Sequence, residues 1–286
     1  MMNSARPEAA APAGVVPRLE QTRAAFDSVA ADYDGERGNN GAIQDMRAEL
    51  WRWLDALFPA PSRLIDLGCG TGLDAVRLAQ RRHLVTATDW SPLMVERTRA
   101  RAAEAGLLQQ VQALHIGAHE LERLAGAAAF DGAYSDLGAL NCVPEPAAVA
   151  RECARLVRPG GALVFSVIGR ICPWELGHYL SRGRGKRAAV RFVRGPVAVG
   201  MNGRTIWTRY YRPREFYAAF RADFSLQHYR GLCLAVPPPY LGGLRQHHRA
   251  WYERLWRLDR RVCGWPLLRN CGDHFLMVMR RRAASA

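Results

Sequence analysis

Three glycines at alternate positions, Gly68, Gly70 and Gly72, separate a short apolar run, Leu64 to Leu67, from an amphipathic stretch through Leu73, Val76, Leu78 and Ala79. The pattern predicts strand, tight turn and helix. Glycines at such a turn let the backbone bend sharply and let a ligand reach the main chain, while the start of the helix offers free N–H groups to polar atoms. The dinucleotide fingerprint wants a further glycine where Leu73 stands, so the loop departs from the usual pyrophosphate cradle. A nucleotide-binding fold with another ligand, such as NAD, remains the competing reading, because fold does not set function.

An acid about 20 positions on, at the end of the next strand, suits a ribose diol, since one carboxylate accepts from both hydroxyls. Asp89 closes the run Leu84 to Thr88, and Ser91-Pro92 follows as a helix cap with proline at the first helical position. Together with Asp66, this set resembles the first two motifs of class I S-adenosylmethionine (SAM) dependent methyltransferases. The resemblance implies that Asp66, Gly68, Cys69, Gly70, Thr71 and Gly72 lie against the amino-acid part of SAM. It gives the ribose to Asp89, with Trp90 beside it.

The flanking segments extend the likeness. Phe26-Asp27-Ser28-Val29-Ala30-Ala31-Asp32-Tyr33-Asp34 resembles the opening of ubiquinone and menaquinone C-methyltransferase-like enzymes, whose helix closes over SAM with the tyrosine facing the methyl or the acceptor. Past the third strand, Val111 to Ile116, Ala118 and His119 occupy the positions that the family places at the adenine. The fourth strand, Phe130 to Ser135, leads to Asp136 and Asn141, and the family uses this segment for SAM contacts, here including Ser135, and for acceptor chemistry. A helix from about Pro146, an Arg-Pro-Gly-Gly turn and the apolar run Ala162 to Ile168 complete the resemblance. It implies a Rossmann-like, doubly wound seven-stranded α/β sheet, mostly parallel with one antiparallel strand, the last strands being Ser225 to Tyr229 and Phe275 to Met279.

Two stretches, about 170–222 and 231–271, are too long for plain connections. They are expected to form helical lid insertions over the acceptor, and they hold five of the eight tryptophans (Trp174, Trp207, Trp251, Trp256 and Trp265). Leu244, Trp251, Leu255, Leu258 and Val262 share one helical face, which suits packing on the protein itself or peripheral contact with a membrane. Residues 1–20, rich in Ala and Pro, read as a tail, 21–169 as the SAM-binding core and 170–286 as the remaining strands with the lid.

Charge separates the halves. Residues 1–169 carry 17 basic and 20 acidic side chains, residues 170–286 carry 23 and 6. The second half should attract something anionic, such as a phosphorylated or carboxylate acceptor, a carrier protein, a membrane or nucleic acid. Only Lys186 is a lysine, so part of the arginine excess reflects codon usage. Scattered cysteines without a Cys-x-x-Cys pair argue against a zinc site, and no metal is expected. No signal-peptide core or membrane-length apolar run is present, so a cytoplasmic location is expected.

Transfer from a sulfonium asks the protein mainly to position and desolvate. Tyr33, Asp136, Asn141 and His178 are the catalytic candidates, with His119 a further acid–base group near the pocket. The leading reading is a SAM-dependent methyltransferase with a small-molecule acceptor, in specialised metabolism given the lid. RNA methylation, intramolecular cyclisation of SAM and a nonenzymatic SAM-binding subunit are the alternatives; the segment after the fourth strand lacks the Asn/Asp-Pro-Pro-Tyr type of box, which argues against nucleic acid. Oligomeric state stays open.

Overall fold

The computed structural model describes residues 14–35, 38–241 and 243–283. Helix α1 (Val15–Asp27) is followed by a run of turns to Gly35 and by α2 (Gly41–Leu57), whose cap is Asn40, its Oδ1 accepting from the N–H groups of Ala42 and Ile43. Strand β1 (Arg63–Leu67), α3 (Leu73–Gln80) and β2 (Leu84–Asp89) form the first parallel unit. Then come α4 (Pro92–Glu104), capped by Ser91 as expected, β3 (Val111–His115), β4 (Phe130–Ser135), α5 (Pro146–Leu156) and β5 (Val157–Ile168).

The first insertion holds α6 (Pro173–Leu180), the short α7 (Gly185–Ala188), a hairpin of β6 (Val197–Met201) and β7 (Arg204–Thr208), and α8 (Pro213–Ala218). Strand β8 (Phe224–Leu232) follows, then α9 (Leu244–His247), α10 (Arg249–Val262) and β9 (His274–Arg281). The sheet runs β3-β2-β1-β4-β5-β9-β8, with β9 antiparallel to both neighbours, as the resemblance implied. Strand order reverses beside β1, so the crevice for a ligand opens at the carboxyl ends of β1 and β4.

Two cores sandwich the sheet. On the α5 side Phe165, Phe216, Phe220, Phe224 and Phe275 pack together with Val149, Cys153 and Leu156. On the other side Leu50, Leu54 and Phe58 of the α2 segment meet Leu64, Tyr134, Val164 and Leu276. Burying each such large side chain contributes about 1.5–3 kcal/mol.

Three expectations need correction. Residues 1–13 lie outside the described part, but the rest of the expected tail is helical: α1 starts at Val15, not near Gln21. Its order comes from distant partners, since Thr22 Oγ1 accepts from the Trp207 N–H of β7 at 3.0 Å and Gln21 accepts from the Trp207 indole at 2.8 Å. The first insertion is only partly helical, because it contains the β6–β7 hairpin. In α10 the inward face is Tyr252, Leu255, Trp256 and Asp259, whereas Trp251 and Leu258 are 61% and 47% exposed. A buried acid sets that rotation: the Asp259 carboxylate accepts from the N–H groups of Cys233, Leu234 and Ala235 at 3.2, 2.7 and 2.7 Å.

The first insertion is pinned to the sheet by Arg191. Buried to 4% exposure, it donates through Nε and Nη2 to Glu175 at 2.9 and 2.7 Å, through Nη2 to Asp273 at 2.5 Å and through Nη1 to the Gly169 carbonyl at 2.8 Å. Cys172, Glu175 and Asp273 are spaced to hold a metal, but the guanidinium already supplies the cation between the carboxylates. Despite burial, the Arg191 charge and the hydrogen bonds of His274 and Arg191 hold the Asp273 carboxyl well below its ordinary range. Stability from this group is therefore present above the unfolded pKa of about 4 and is lost as pH falls below it. Removing the cation leaves two buried carboxylates uncompensated, which costs about 3–5 kcal/mol. Urea titration of Arg191→Met at pH 7 should show that loss, while wild type should itself lose stability steadily on acidification below pH 4.

Candidate cofactor and acceptor site

The glycine loop is shaped by two different demands. A Cβ at Gly68, where φ is +83°, would stand 2.4 Å from the Ala139 side chain, so that glycine serves close packing. Gly70, at φ +54°, faces open space up to the Tyr33 ring at 3.9 Å, and there the missing side chain leaves room for a ligand. The Gly68 and Cys69 N–H groups both donate to the Thr88 carbonyl at 2.9 Å, tying the loop to β2. Ser135, buried, donates to the Leu67 carbonyl at 2.7 Å and so joins β4 to the start of the loop. Burial pushes the Cys69 thiol well up, which keeps it an inert neutral group.

Asp89 sits between loop and helix. Its Oδ2 accepts the Gly70 N–H at 2.9 Å and its Oδ1 the Ser91 N–H at 2.8 Å. Each oxygen keeps a lone pair for a ribose hydroxyl. Burial raises the carboxyl above its ordinary value, and the two backbone N–H groups pull in the opposite direction. Beside it, Trp90 lies edge-on to His119 at 4.7 Å and tilted to His115 at 5.5 Å, and its buried indole Nε1 has no hydrogen-bond partner among the described residues. Burial lowers the His119 pKa, leaving a neutral ring at pH 7 that is able to accept from an amino group. Ala118, next to it, packs on the α5-side core.

The turns after α1 bring Tyr33 over Gly70. Phe26 supports its ring edge-on at 6.4 Å, and burial pushes the phenol up to about 12, with Arg47, Asp89 and Asp34 as charged neighbours. Tyr33 is therefore a protonated hydroxyl at neutral pH. The two aspartates of the Phe-Asp…Tyr-Asp stretch act as clamps: Asp27 accepts from Ser91 Oγ at 2.5 Å, and Asp34 accepts from Thr71 Oγ1 at 2.6 Å and pairs with Arg101.

Arg47 was not among the sequence candidates. On α2 it falls in the apolar stripe with Ile43, Leu50 and Leu54, and a charge on a buried face was the readable signal. It pairs with Asp74, approaches Asp136 at 3.9 Å and is 7% exposed, while the Trp51 indole donates to Asp74 at 2.6 Å. Asp74 and Asp136 thus flank one guanidinium, whose charge is also felt by the buried Asp66. Burial and the nearby Asp74 charge push Asp66 well up and Asp136 up to about 6. One oxygen each of Asp66 and Asp136, and Arg47 Nε, are buried without a hydrogen bond to any described residue. An α-amino acid carries an ammonium with donors for those oxygens, a carboxylate for the guanidinium and, in SAM, a sulfonium, so the residues fit the cofactor.

The remaining candidates stand apart from this cluster. Asn141 is a staple: its amide donates to the carbonyls of Ile168 and Arg209 at 3.0 and 2.7 Å and accepts the Ile168 N–H at 2.8 Å. His178, on α6, lines a groove with Trp174 and Ser181 and pairs with Arg182. His274, unmarked by any motif, presents Nδ1 to Asp273 at 3.0 Å and buries an Nε2 that has no hydrogen-bond partner among the described residues.

A strand-order reversal beside β1, an open glycine turn there and a partly buried acid at the end of β2 are the features on which the resemblance to class I SAM-dependent methyltransferases rests. Residues 64–161 match a family model described as a methyltransferase domain. Ubiquinone biosynthesis O-methyltransferase of Xanthomonas axonopodis pv. citri (strain 306) is 34% identical over 140 residues, 49% of this chain and 56% of that protein. That of Stutzerimonas stutzeri (strain A1501) is 36% identical over 122 residues, 41% and 50%. The chain spans about half the length of these relatives. Among solved structures, the [4+2]-cyclase SpnF aligns at a TM-score of 0.61 and 17% identity, covering 94% of this chain and 98% of the other. Burkholderia thailandensis 1,6-didemethyltoxoflavin-N1-methyltransferase, solved with its substrate and S-adenosylhomocysteine, aligns at 0.58 and 19%, covering 97% and 94%. These two share the fold.

Asp89→Ala should weaken S-adenosylhomocysteine binding at least tenfold, about 1.5–3 kcal/mol for a charge-assisted contact, by calorimetry on a folded variant. Affinity for SAM should also fall with pH, by up to about tenfold per unit below pH 6, because protonating Asp136 removes the charge that a bound cation needs. Binding between pH 5 and 8 should show this slope in wild type, and Asp136→Asn should flatten it.

Proposed function

We propose that the protein transfers the methyl group of SAM to a small organic acceptor, in specialised rather than central metabolism. The observation that carries the reading is the excess of buried acid around Arg47 beside an open glycine loop. Excess negative charge in a buried site favours a ligand with two cationic centres, and Arg47 adds a place for its carboxylate. Bound there, SAM supplies an electrophilic methyl on a positively charged sulfur. The family match ends at Gly161, so the chain beyond it, with its two insertions, is where acceptor specificity belongs.

The residues divide the work. Asp89, Gly70 and Trp90 hold the nucleoside; Asp66, Asp136 and Arg47 hold the amino-acid end; Tyr33, clamped through Asp34, excludes water and directs its hydroxyl at the transfer region. Asn141 fixes the segment after Asp136, and His178 belongs to the outer insertion rather than to the transfer region.

The test uses methyl-labelled SAM with a panel of small phenols, amines and enols, and separately with RNA. Label in a small product with stoichiometric S-adenosylhomocysteine is the expected result. Label in RNA, or methylthioadenosine without transfer, overturns it. Gly70→Val, checked for fold by circular dichroism, should lose both cofactor binding and transfer, because a branched side chain fits neither the turn nor the ligand's approach.

A further inference from the structure

A second concentration of unpaired charge lies on the α5 side of the sheet's carboxyl edge. It is a cleft of about 690 Å³ lined by Arg170, Arg194, Arg209, Arg212 and Arg214, with Glu215 and Phe192. It adjoins the segment after Asp136, since the Arg209 N–H donates to the Asn141 carbonyl at 2.8 Å and Asn141 reaches back to the Arg209 carbonyl at 2.7 Å. Arg170 stands just past the end of β5.

The cations in this cleft are poorly compensated. Glu215 serves two of them, Arg170 at 3.0 Å and Arg209 at 2.9 Å. Arg170 is 8% exposed, and its side-chain hydrogen bonds, to Tyr210 and Glu215, run through Nε and Nη2. Arg209 Nε is buried without a hydrogen bond to any described residue, although its guanidinium lies over the Tyr211 ring. The side chains of Arg194, Arg212 and Arg214 make no hydrogen bond or ion pair with any described residue. One carboxylate against five guanidinium groups leaves a strongly positive concavity, whose field is focused by the low-dielectric wall behind it.

The size of that charge selects the ligand. A carboxylate would neutralise a single arginine, whereas a phosphate ester brings about −1.5 to −2 charges and three acceptor oxygens, and a diphosphate brings more. Guanidinium forks match phosphate oxygens in pairs. Phe192, 45% exposed, adds an apolar wall for an attached organic group. We infer that this cleft holds the phosphate or diphosphate of a phosphorylated organic acceptor, an assignment that rests on the small-molecule reading above.

The test titrates the full chain by calorimetry, at physiological salt, with pyrophosphate, inorganic phosphate and phenyl phosphate, and in parallel with S-adenosylhomocysteine. Saturable one-to-one pyrophosphate binding is expected, along with phenyl phosphate binding more tightly than inorganic phosphate. The double variant Arg212→Ala with Arg214→Ala should weaken pyrophosphate at least tenfold and leave S-adenosylhomocysteine within twofold. The matched pair Arg257→Ala with Arg260→Ala, on α10, should change neither. Equal losses in both pairs, or no saturable binding, would show only diffuse surface charge and overturn the site. Inorganic phosphate binding as tightly as phenyl phosphate would overturn the organic acceptor. Wild type that binds pyrophosphate but not S-adenosylhomocysteine would instead remove the methyltransferase reading and leave the anion site standing.

Discussion

One buried guanidinium and the two buried carboxylates beside it organise the working end of this molecule. Arg47 reaches from α2 to Asp74 at the start of α3 and toward Asp136 past the end of β4, joining three segments. Desolvating charged groups is costly, and such a cluster is tolerated where geometry and residual charge serve something further. Here the residual charge is negative, and the unfilled lone pairs point to a cationic amino acid as the group that completes the set. The loop, the cap at Ser91 and the turns carrying Tyr33 are arranged around that demand.

The parts of the fold that rest on neighbours in sequence were legible. The apolar run before Gly68, the cap at Ser91-Pro92 and the run from Ala162 to Ile168 each declare their structure within a few residues. Asp89 was legible because its spacing from the glycines follows from one strand–helix–strand unit. What could not be read depends on partners far along the chain. Helix α1 is ordered by β7, and α10 is rotated by Asp259 beneath the backbone of residues 233–235. Periodicity sees neither.

The same division holds in the site. Arg47 was hidden because a single arginine in an apolar stripe reads as noise until its carboxylate partners are brought alongside. Asn141 drew attention as a polar residue in an apolar run. Its polarity is consumed in joining β5 to Arg209, which makes it the fixed point between cofactor pocket and arginine cleft.

The pair of aspartates flanking Tyr33 has a kinetic side. Asp34 is bonded to Thr71 of the glycine loop and to Arg101 of α4, and Asp27 to Ser91 at the mouth of the same helix. If SAM binds beneath Tyr33 as proposed, its exit would require these charge-assisted contacts to part, and one short segment carries them all. Residence time and turnover would then be governed by a single opening event, and a slow exchange of spent cofactor would follow from the way the segment is fastened rather than from how tightly the nucleoside is held.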